Sequence, residues 1–505
     1  MEKSILSYLE KTEIKFPDKV AFADKNYEMT YRALLNEAKS IGSAIIQKVG
    51  ERKPIAVYME KNSRNIAAFM GAAYSGGFYV PLDAKMPMDR INIILKTLDP
   101  AAVIYDEKTE KFLDAMDTDC IKVSYDEISK IDHDEERLNI ARDKMIDTDP
   151  LYILFTSGST GVPKGVVVCH RSVIDYASWV TKTFNINEKT VFGNQTPFYF
   201  SMSVLDIFST IVSGATLHII PKMLFSFPVK LLEFIKEKRV NTIYWVPSAL
   251  GIVANLGALE EIDMSDLKTI LFAGETMPTK QLNIWKKYVP DALYANLFGP
   301  TEITDIGIYY VVDREFSNDE PIPIGTPCDN VDPIVINKEG KLVEKPGEIG
   351  ELLIRGSFLA CGYYNNSEKT KEAFIQNPLN KNYPETVYAT GDLVYWNERH
   401  ELVYVSRKDF QIKHMGNRIE LGEIENAINS LDDVAMCCCL YDTHNNHIVA
   451  VYFGEIEIKT MQKMLVKKLP RYMLPNVYYK EKGLPLNMNG KIDRVKLKND
   501  IILNK

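Results

Sequence analysis

Short apolar runs rich in β-branched and aromatic residues, PIAVYM, AAVIYD, LYILFT, NTIYWVP and TILFAG, alternate in this chain with longer stretches of helical spacing such as MTYRALLNEAKSIGSAII and VKLLEFIKEKR. Strands this short and this apolar must be covered on their faces, and helices between them are the natural cover, so the alternation predicts an α/β fold. After about residue 325 the pattern changes. DPIVINKEGKLVEKPGEIGELLIRG carries Gly and Pro at hairpin-like intervals, which predicts a small antiparallel β module. From about Asp409 a helix in LGEIENAINSL, a strand in IVAVYFG and a helix in IKTMQKMLVKKL stopped at Pro470 predict a small terminal α+β domain. The expected architecture is a large N-terminal region of helix-covered sheets plus the β module (1–408), followed by a small C-terminal domain (409–505).

At 505 residues the chain exceeds one compact core, and about two to four domains or subdomains are expected. A composition 46% hydrophobic and 25% charged excludes a disordered chain. The net charge of -8 argues against binding a nucleic-acid backbone, while leaving room for a local basic pocket around a free nucleotide. No stretch of about 18 apolar residues occurs, and the N-terminus lacks the apolar core of a signal peptide, so a soluble, non-secreted chain is expected. Seven cysteines in this length make no disulfide framework, and a reducing cytoplasm is the expected setting. Cys437, Cys438 and Cys439 lie in the apolar run VAMCCCLY, where neighbours on a strand face opposite ways; this favours core packing over a metal site. His444 and His447 lack a third ligand and read as part of a polar turn.

The strongest local signal is LYILFTSGSTGVPKGV, residues 151–166. An apolar strand-like segment enters a loop with three glycines, four hydroxyl residues and Lys164. Small residues let backbone N–H groups approach phosphate oxygens, and the lysine adds charge. The Walker pattern is absent, because Lys164 is followed by Gly165 and preceded by Pro163.

The loop TSGSTGVPKG resembles the signature of the adenylate-forming superfamily, which includes acyl- and aryl-CoA synthetases, firefly luciferase and the adenylation domains of non-ribosomal peptide synthetases. Further similar motifs follow in order: MTYRALLNEA (29–38), GGFYVPLD (76–83), NLFGPTE (296–302), GELLIRG with GYY (350–364), YATGDLV (388–394), RKDFQIKHMGNRIELGEIE (407–425), LPRYMLP (469–475) and NMNGKIDR (487–494). The resemblance spans about residues 25–495. In style it is closest to free-standing amino-acid adenylation enzymes such as D-alanine:carrier-protein ligases. No carrier segment or condensation-like motif is recognisable, so the acceptor is expected in trans.

The resemblance implies ATP and Mg²⁺ as cofactors, with a phosphopantetheine thiol on a separate carrier protein as acyl acceptor. It implies that Thr156, Ser157, Gly158, Ser159, Thr160, Gly161 and Lys164 hold the leaving phosphates. Glu302, beside Thr301, would anchor the Mg²⁺, since that cation prefers carboxylate and phosphate oxygens. Gly274, Glu275, Asn296, Phe298 and Gly299 would belong to the nucleotide site, with Phe298 standing where the family usually stacks Tyr on adenine. Asp392 and Arg407 would take the ribose hydroxyls. Lys491 resembles the lysine that bridges substrate carboxylate and developing adenylate, where a cation reduces repulsion between two anions. Asp409 resembles the hinge about which a mobile terminal domain rotates between adenylation and thioester formation. The family's usual Gly-Arg before the hinge is here Ser406-Arg407, and its basic-glycine step is His414-Met415-Gly416.

By register, the acyl pocket is expected from Ser201, Met202, Leu205, Tyr244, Leu271, Ala273, Leu297, Asp305 and Ile306. Amino-acid-activating relatives usually carry Asp at the place of Ser201, paired with the substrate ammonium. A neutral hydroxyl cannot supply that charge in a desolvated pocket, which disfavours an ordinary α-amino acid. Asp305 reads either as a relocated counter-ion for an amine further from the carboxylate or as a hydrogen-bonded loop carboxylate. Hydroxy, keto and plain carboxylic acids stay open. The expected function is activation of a small carboxylic or amino acid; the alternatives are a CoA ligase, a non-catalytic binding protein of the same fold, and luciferase-like oxidation. Loss of Lys164, Glu302, Asp392 or Lys491 would mark the non-catalytic case, and all four are present.

Overall fold

The structure is a computed structural model that describes residues 2–158, 162–408, 411–485 and 492–503. Among these residues the first four-fifths of the chain carries three sheets. A nine-stranded sheet contains the parallel strands Val191–Asn194, Thr242–Trp245, Thr269–Ala273 and Leu293–Phe298. A seven-stranded sheet contains the parallel strands Pro54–Tyr58, Phe78–Pro81 and Pro150–Thr156, the last followed antiparallel by Lys164–Cys169. Both are helix-covered, which is why TILFA and TIYW are buried at every position instead of alternating.

Local chemistry explains where the elements stop and start. The helix Tyr31–Val49 is capped by Thr30, whose hydroxyl accepts from the Ala33 amide. The helix Ser203–Ser213 ends at Gly214 in the left-handed conformation (φ +76°), where a Cβ would lie 2.7 Å from the Phe16 ring.

The stretch rich in Gly and Pro forms the anticipated antiparallel module. Val331–Ile336 pairs with Gly350–Gly356, which pairs with Thr386–Trp396, and Leu402–Arg407 completes that face. The C-terminal part opens with a hairpin, Gln411–His414 and Asn417–Glu420. The helix Leu421–Asn429, a three-stranded sheet and the helix Ile458–Lys468 follow. It has apolar cores of its own. Cys437 and Cys439 pack on one side of the strand Val434–Asp442 and Cys438 on the other. No helix among the described residues is long and apolar enough to cross a membrane.

The hairpin positions the site, because it docks into the cleft at the C-terminal ends of the parallel strands. In open α/β sheets that edge is where ligands bind. Arg90, from the helix Met88–Leu98, forms an ion pair with Glu423 from the helix after the hairpin, and both side chains are almost fully buried. Breaking such a pair from one side leaves an uncompensated buried charge, at a cost of about 3–5 kcal/mol.

Candidate active site

The glycine-rich loop leaves the strand Pro150–Thr156 and returns at Lys164, which lies directly opposite Thr156 in the ladder. Gly158 is required by close approach: a Cβ there would sit 2.1 Å from the Val162 carbonyl oxygen. Ser159, Thr160 and Gly161 lie outside the described residues. Lys164 points over the Tyr363 ring, Nζ to centroid 5.0 Å. Burial, reinforced by the nearby Arg418, lowers its pKa, while Glu302 works the other way.

Glu302 is fully buried on the turn Thr301–Ile303. Its Oε1 accepts from the Tyr363 hydroxyl at 2.7 Å, and its Oε2 pairs with Arg418 of the hairpin at 2.6 Å. Burial alone would raise its pKa; Arg418 and Lys164 outweigh that and hold it at about 2. The carboxylate is therefore ionised at any working pH. A single ionised carboxylate suits Mg²⁺, which typically takes one or two carboxylates plus substrate phosphates. With Arg418 on Oε2, a cation at Glu302 would share or displace that guanidinium. No cluster of three or more metal-ligating side chains occurs among the described residues.

Phe298 ends the strand Leu293–Phe298, with Tyr404 tilted beside it at 5.9 Å and Lys413 of the hairpin 5.0 Å from its ring. Gly299 must be glycine, since a Cβ would meet the Asp305 carbonyl oxygen at 2.2 Å. Glu275 accepts from the Ser248 amide and from the Gly416 amide, each at 2.8 Å, so it clamps the tip of the hairpin beside Gly274. Asn296 is tied to the Pro323 carbonyl at 2.8 Å. Asp392 and Arg407 face each other in register and form an ion pair at 3.1 Å.

The hairpin tip is a two-residue turn in which Met415 (φ +51°) and Gly416 (φ +75°) are both left-handed, the geometry that matches strand twist. Gly416 lies against Val246, and a Cβ would come within 2.5 Å of Val246 Cγ1. The Ser157 hydroxyl donates to the Arg418 carbonyl at 2.8 Å, fastening the hairpin to the phosphate loop.

One cleft, of about 90 Å³, brings together Thr156 and Ser157, Ser201 and Met202, Ala273 and Gly274, Thr301, Asp305 and Ile306, Asp392 and Arg407, and the hairpin residues Lys413, Gly416 and Arg418. Leu205, Leu271 and Leu297 lie in the core behind this wall, and Tyr244 reaches it through Asp305. Asp206 turns away to Asn194 Nδ2 at 2.6 Å. A larger cleft of about 970 Å³ adjoins the first, sharing Tyr199, Phe200, Met202, Gly416 and Tyr472.

Asp305 is aimed by strained backbone. Thr304 adopts φ +70°, ψ -61°, and the Asp305 amide donates to the Ile303 carbonyl at 2.8 Å, which together make a γ-turn of the rare, strained hand. For a β-branched residue this costs about 1–3 kcal/mol and persists only where neighbours impose it. Here the Thr304 hydroxyl is fixed to the Phe358 carbonyl at 2.8 Å. The Asp305 Oδ2 then accepts from the Tyr176 hydroxyl at 2.7 Å and the Tyr244 hydroxyl at 3.1 Å. Burial raises its pKa to about 7 against these bonds and one from Ser201.

Lys491 and Asp409 lie outside the described residues. Sequence reasoning missed Tyr363, Lys413, Arg418 and the Arg90–Glu423 pair as site components. Lys413 and Arg418 stood inside a quoted motif, but nothing local marks them as facing Phe298 and Glu302.

Residues 9–364 match the family described as AMP-binding enzyme. D-alanine--D-alanyl carrier protein ligase of Bacillus licheniformis is 30% identical over 498 residues, covering 96% of this chain and 97% of that protein. Bacitracin synthase 1 of Bacillus licheniformis is 32% identical over 499 residues, 97% of this chain and 9% of that much longer protein. Among solved structures, the Vibrio cholerae adenylation domain AlmE, in complex with glycyl-adenosine-5'-phosphate, superposes with a TM-score of 0.84 at 21% identity, covering 99% of this chain and 98% of that one. PA1221, an NRPS protein containing adenylation and PCP domains, gives 0.84 at 20% identity, covering 99% and 84%. Fold and site together define an adenylate-forming ligase. The chain belongs to the AMP-binding enzyme family.

Proposed function

We propose that the chain activates a small carboxylic or amino acid with ATP and passes the acyl group to the phosphopantetheine thiol of a separate carrier protein. The observation that carries this reading is the single cleft joining Thr156, Thr301 and the Asp392–Arg407 pair to Ser201, Ala273 and Asp305, with Lys164 paired to Thr156 and the ionised Glu302 bound to Arg418 at its wall. A carrier acceptor is supported by the near full-length relative named as a carrier protein ligase.

In the first step a substrate carboxylate oxygen forms a bond to the α-phosphorus of ATP, and the bond to the β-bridging oxygen breaks, releasing pyrophosphate. Catalysis is mainly positioning and charge neutralisation. Lys164 would hold the leaving phosphates, Phe298 would offer a ring face to adenine, and Asp392 would accept the ribose hydroxyls. Mg²⁺, when bound at Glu302, would supply further neutralisation of the phosphate charge. Lys491 would bridge the substrate carboxylate and the adenylate oxygens. In the second step a thiolate attacks the acyl carbon, the thiol proton passes to solvent, and the carbon–oxygen bond to AMP breaks.

The docked hairpin suits the second step better than the first. Arg418 occupies one oxygen of Glu302 and Lys413 covers Phe298, while Gly416 stands where the small and the large clefts adjoin, a natural entry for a thiol arm. Rotation about Asp409 would withdraw the hairpin and admit Lys491 for the first.

Pyrophosphate exchange screened over proteinogenic, D-amino, β-amino, hydroxy and aryl acids, followed by loading of holo carrier proteins against free CoA, tests this function. Exchange that depends on the acid and is lost in Lys491→Ala, with acyl transfer to a carrier, is expected. Exchange that survives Lys491→Ala overturns the assigned chemistry, and transfer to CoA alone overturns the carrier.

A further inference from the structure

We infer that Asp305 is the ammonium-binding group of the acyl pocket, and that the substrate is a short amino acid whose amine lies beyond the α-carbon, a β- or γ-amino acid. The inference rests on the adenylation reading and names the substrate class of that same cleft.

Asp305 has the marks of a carboxylate kept for a ligand. It is 1% exposed yet lines the cleft, and among the described residues no basic side chain lies within ion-pair distance. Lys413 acts on it only from longer range. Two tyrosine hydroxyls on its Oδ2 and the Ser201 hydroxyl partly compensate the charge without neutralising it. A buried carboxylate without a cation is expensive, and a cationic ligand relieves that cost. The strained γ-turn at Thr304 points the same way, because such backbone persists where a side chain must be held in one direction.

The distance along the pocket sets the position of the amine. Thr301, beside Glu302, donates to Ser201 at 3.4 Å, and Ser201 in turn hydrogen-bonds Asp305. The reacting carboxylate belongs at the Thr301–Glu302 end, with the phosphates. An α-amine would lie near Ser201, a hydroxyl without charge. An amine one or two carbons further along reaches Asp305, where Tyr176 and Tyr244 already orient the accepting oxygens. The small volume and the apolar neighbours Met202, Ala273 and Ile306 favour a short, unbranched or singly methylated chain.

The test is pyrophosphate exchange by the full chain with β-alanine, 3-aminobutanoate and 4-aminobutanoate, against glycine, alanine and the amine-free propanoate and butanoate. ATP binding is followed separately by calorimetry. The best β- or γ-amino acid should exceed its amine-free analogue by about 100-fold or more in kcat/KM, the scale for leaving a buried polar partner unpaired. Asp305→Asn should erase that preference while leaving ATP affinity unchanged. The wild-type comparison of amine with amine-free acid needs no variant, so a misfolded Asp305→Asn does not blunt the test. If an α-amino acid or an amine-free acid is the best substrate, the assignment of Asp305 is overturned and adenylation stands. If none of these acids supports exchange while ATP still binds, the assignment of Asp305 is likewise overturned; the adenylation reading falls with it only when the wider acid screen gives no exchange either.

Discussion

Gly416→Ala separates the two half-reactions. The backbone at Gly416 is left-handed (φ +75°), and an added Cβ would lie 2.5 Å from Val246 Cγ1. Two costs arise, and only one depends on docking. The left-handed strain, about 1–2 kcal/mol for an L-residue, is present wherever the turn is formed and would cancel between the docked hairpin and the withdrawn position proposed above. The clash with Val246 exists only when the hairpin is in the cleft, and forcing one extra carbon into packed surroundings costs about 1–3 kcal/mol. That range corresponds to a loss of docked population of about 5- to 150-fold. Pyrophosphate exchange should therefore stay near the wild-type rate, while single-turnover transfer from preformed adenylate to a holo carrier, or to pantetheine as surrogate, slows by that factor. Val246→Ala in the same background removes the clashing methyl and should recover most of the transfer rate. Equal loss in both half-reactions, or no recovery with Val246→Ala, would refute the link between hairpin docking and thiol transfer.

Other outcomes are equally open to measurement. Arg90→Ala leaves Glu423 buried and unpaired, so transfer should fall at least about 10-fold, whereas Arg90→Met with Glu423→Met should restore most of it; a double variant as slow as the single would show that the pair itself is needed. Glu302→Gln removes the charge that Arg418 and Lys164 share, and exchange should drop by about 100-fold or more at saturating ATP, an effect that extra Mg²⁺ only partly recovers; unchanged exchange would place the metal elsewhere. For an amine substrate, kcat/KM should decline as pH falls below about 7, because burial raises the Asp305 pKa to about 7 and only its ionised form pairs with ammonium. Tyr152, Tyr176 and Tyr244, which face it, have pKa values raised further above neutrality, and Cys328 likewise. Buried Lys413 is lowered and Asp206 raised, so the amine-free acid serves as the control, and its profile should lack this limb.

What could be read from the sequence was what short-range pattern determines. LYILFT, NTIYWVP and TILFAG are strands because apolar β-branched and aromatic residues suit a sheet covered on both faces, and Pro470 marks the end of the helix Ile458–Lys468 as a residue that cannot continue it. The alternating faces of Cys437, Cys438 and Cys439 followed from the strand period alone. The missed components depend on long-range docking. Arg418 meets Glu302 across 116 residues of chain, and Arg90 meets Glu423 across 333, so nothing near either residue announces the other. Register groups Leu205, Leu271 and Leu297 with the acyl pocket; in the fold all three are buried in the main apolar core, and the wall of the small cleft is formed by neighbours such as Ser201 and Ala273. Asp305 was legible as a pocket residue, but its orientation is set by the Thr304 γ-turn, a conformation that no residue preference would suggest for threonine.

The most direct measurement uses a substrate acid labelled with ¹⁸O in both carboxylate oxygens, incubated with the chain, ATP, Mg²⁺ and a thiol acceptor, with mass spectrometry of the nucleotide product. Attack of the carboxylate on the α-phosphorus and departure of AMP from the acyl carbon should leave one labelled oxygen in AMP for each thioester formed. ADP as the product, or AMP without label, would contradict formation of an acyl adenylate in this cleft.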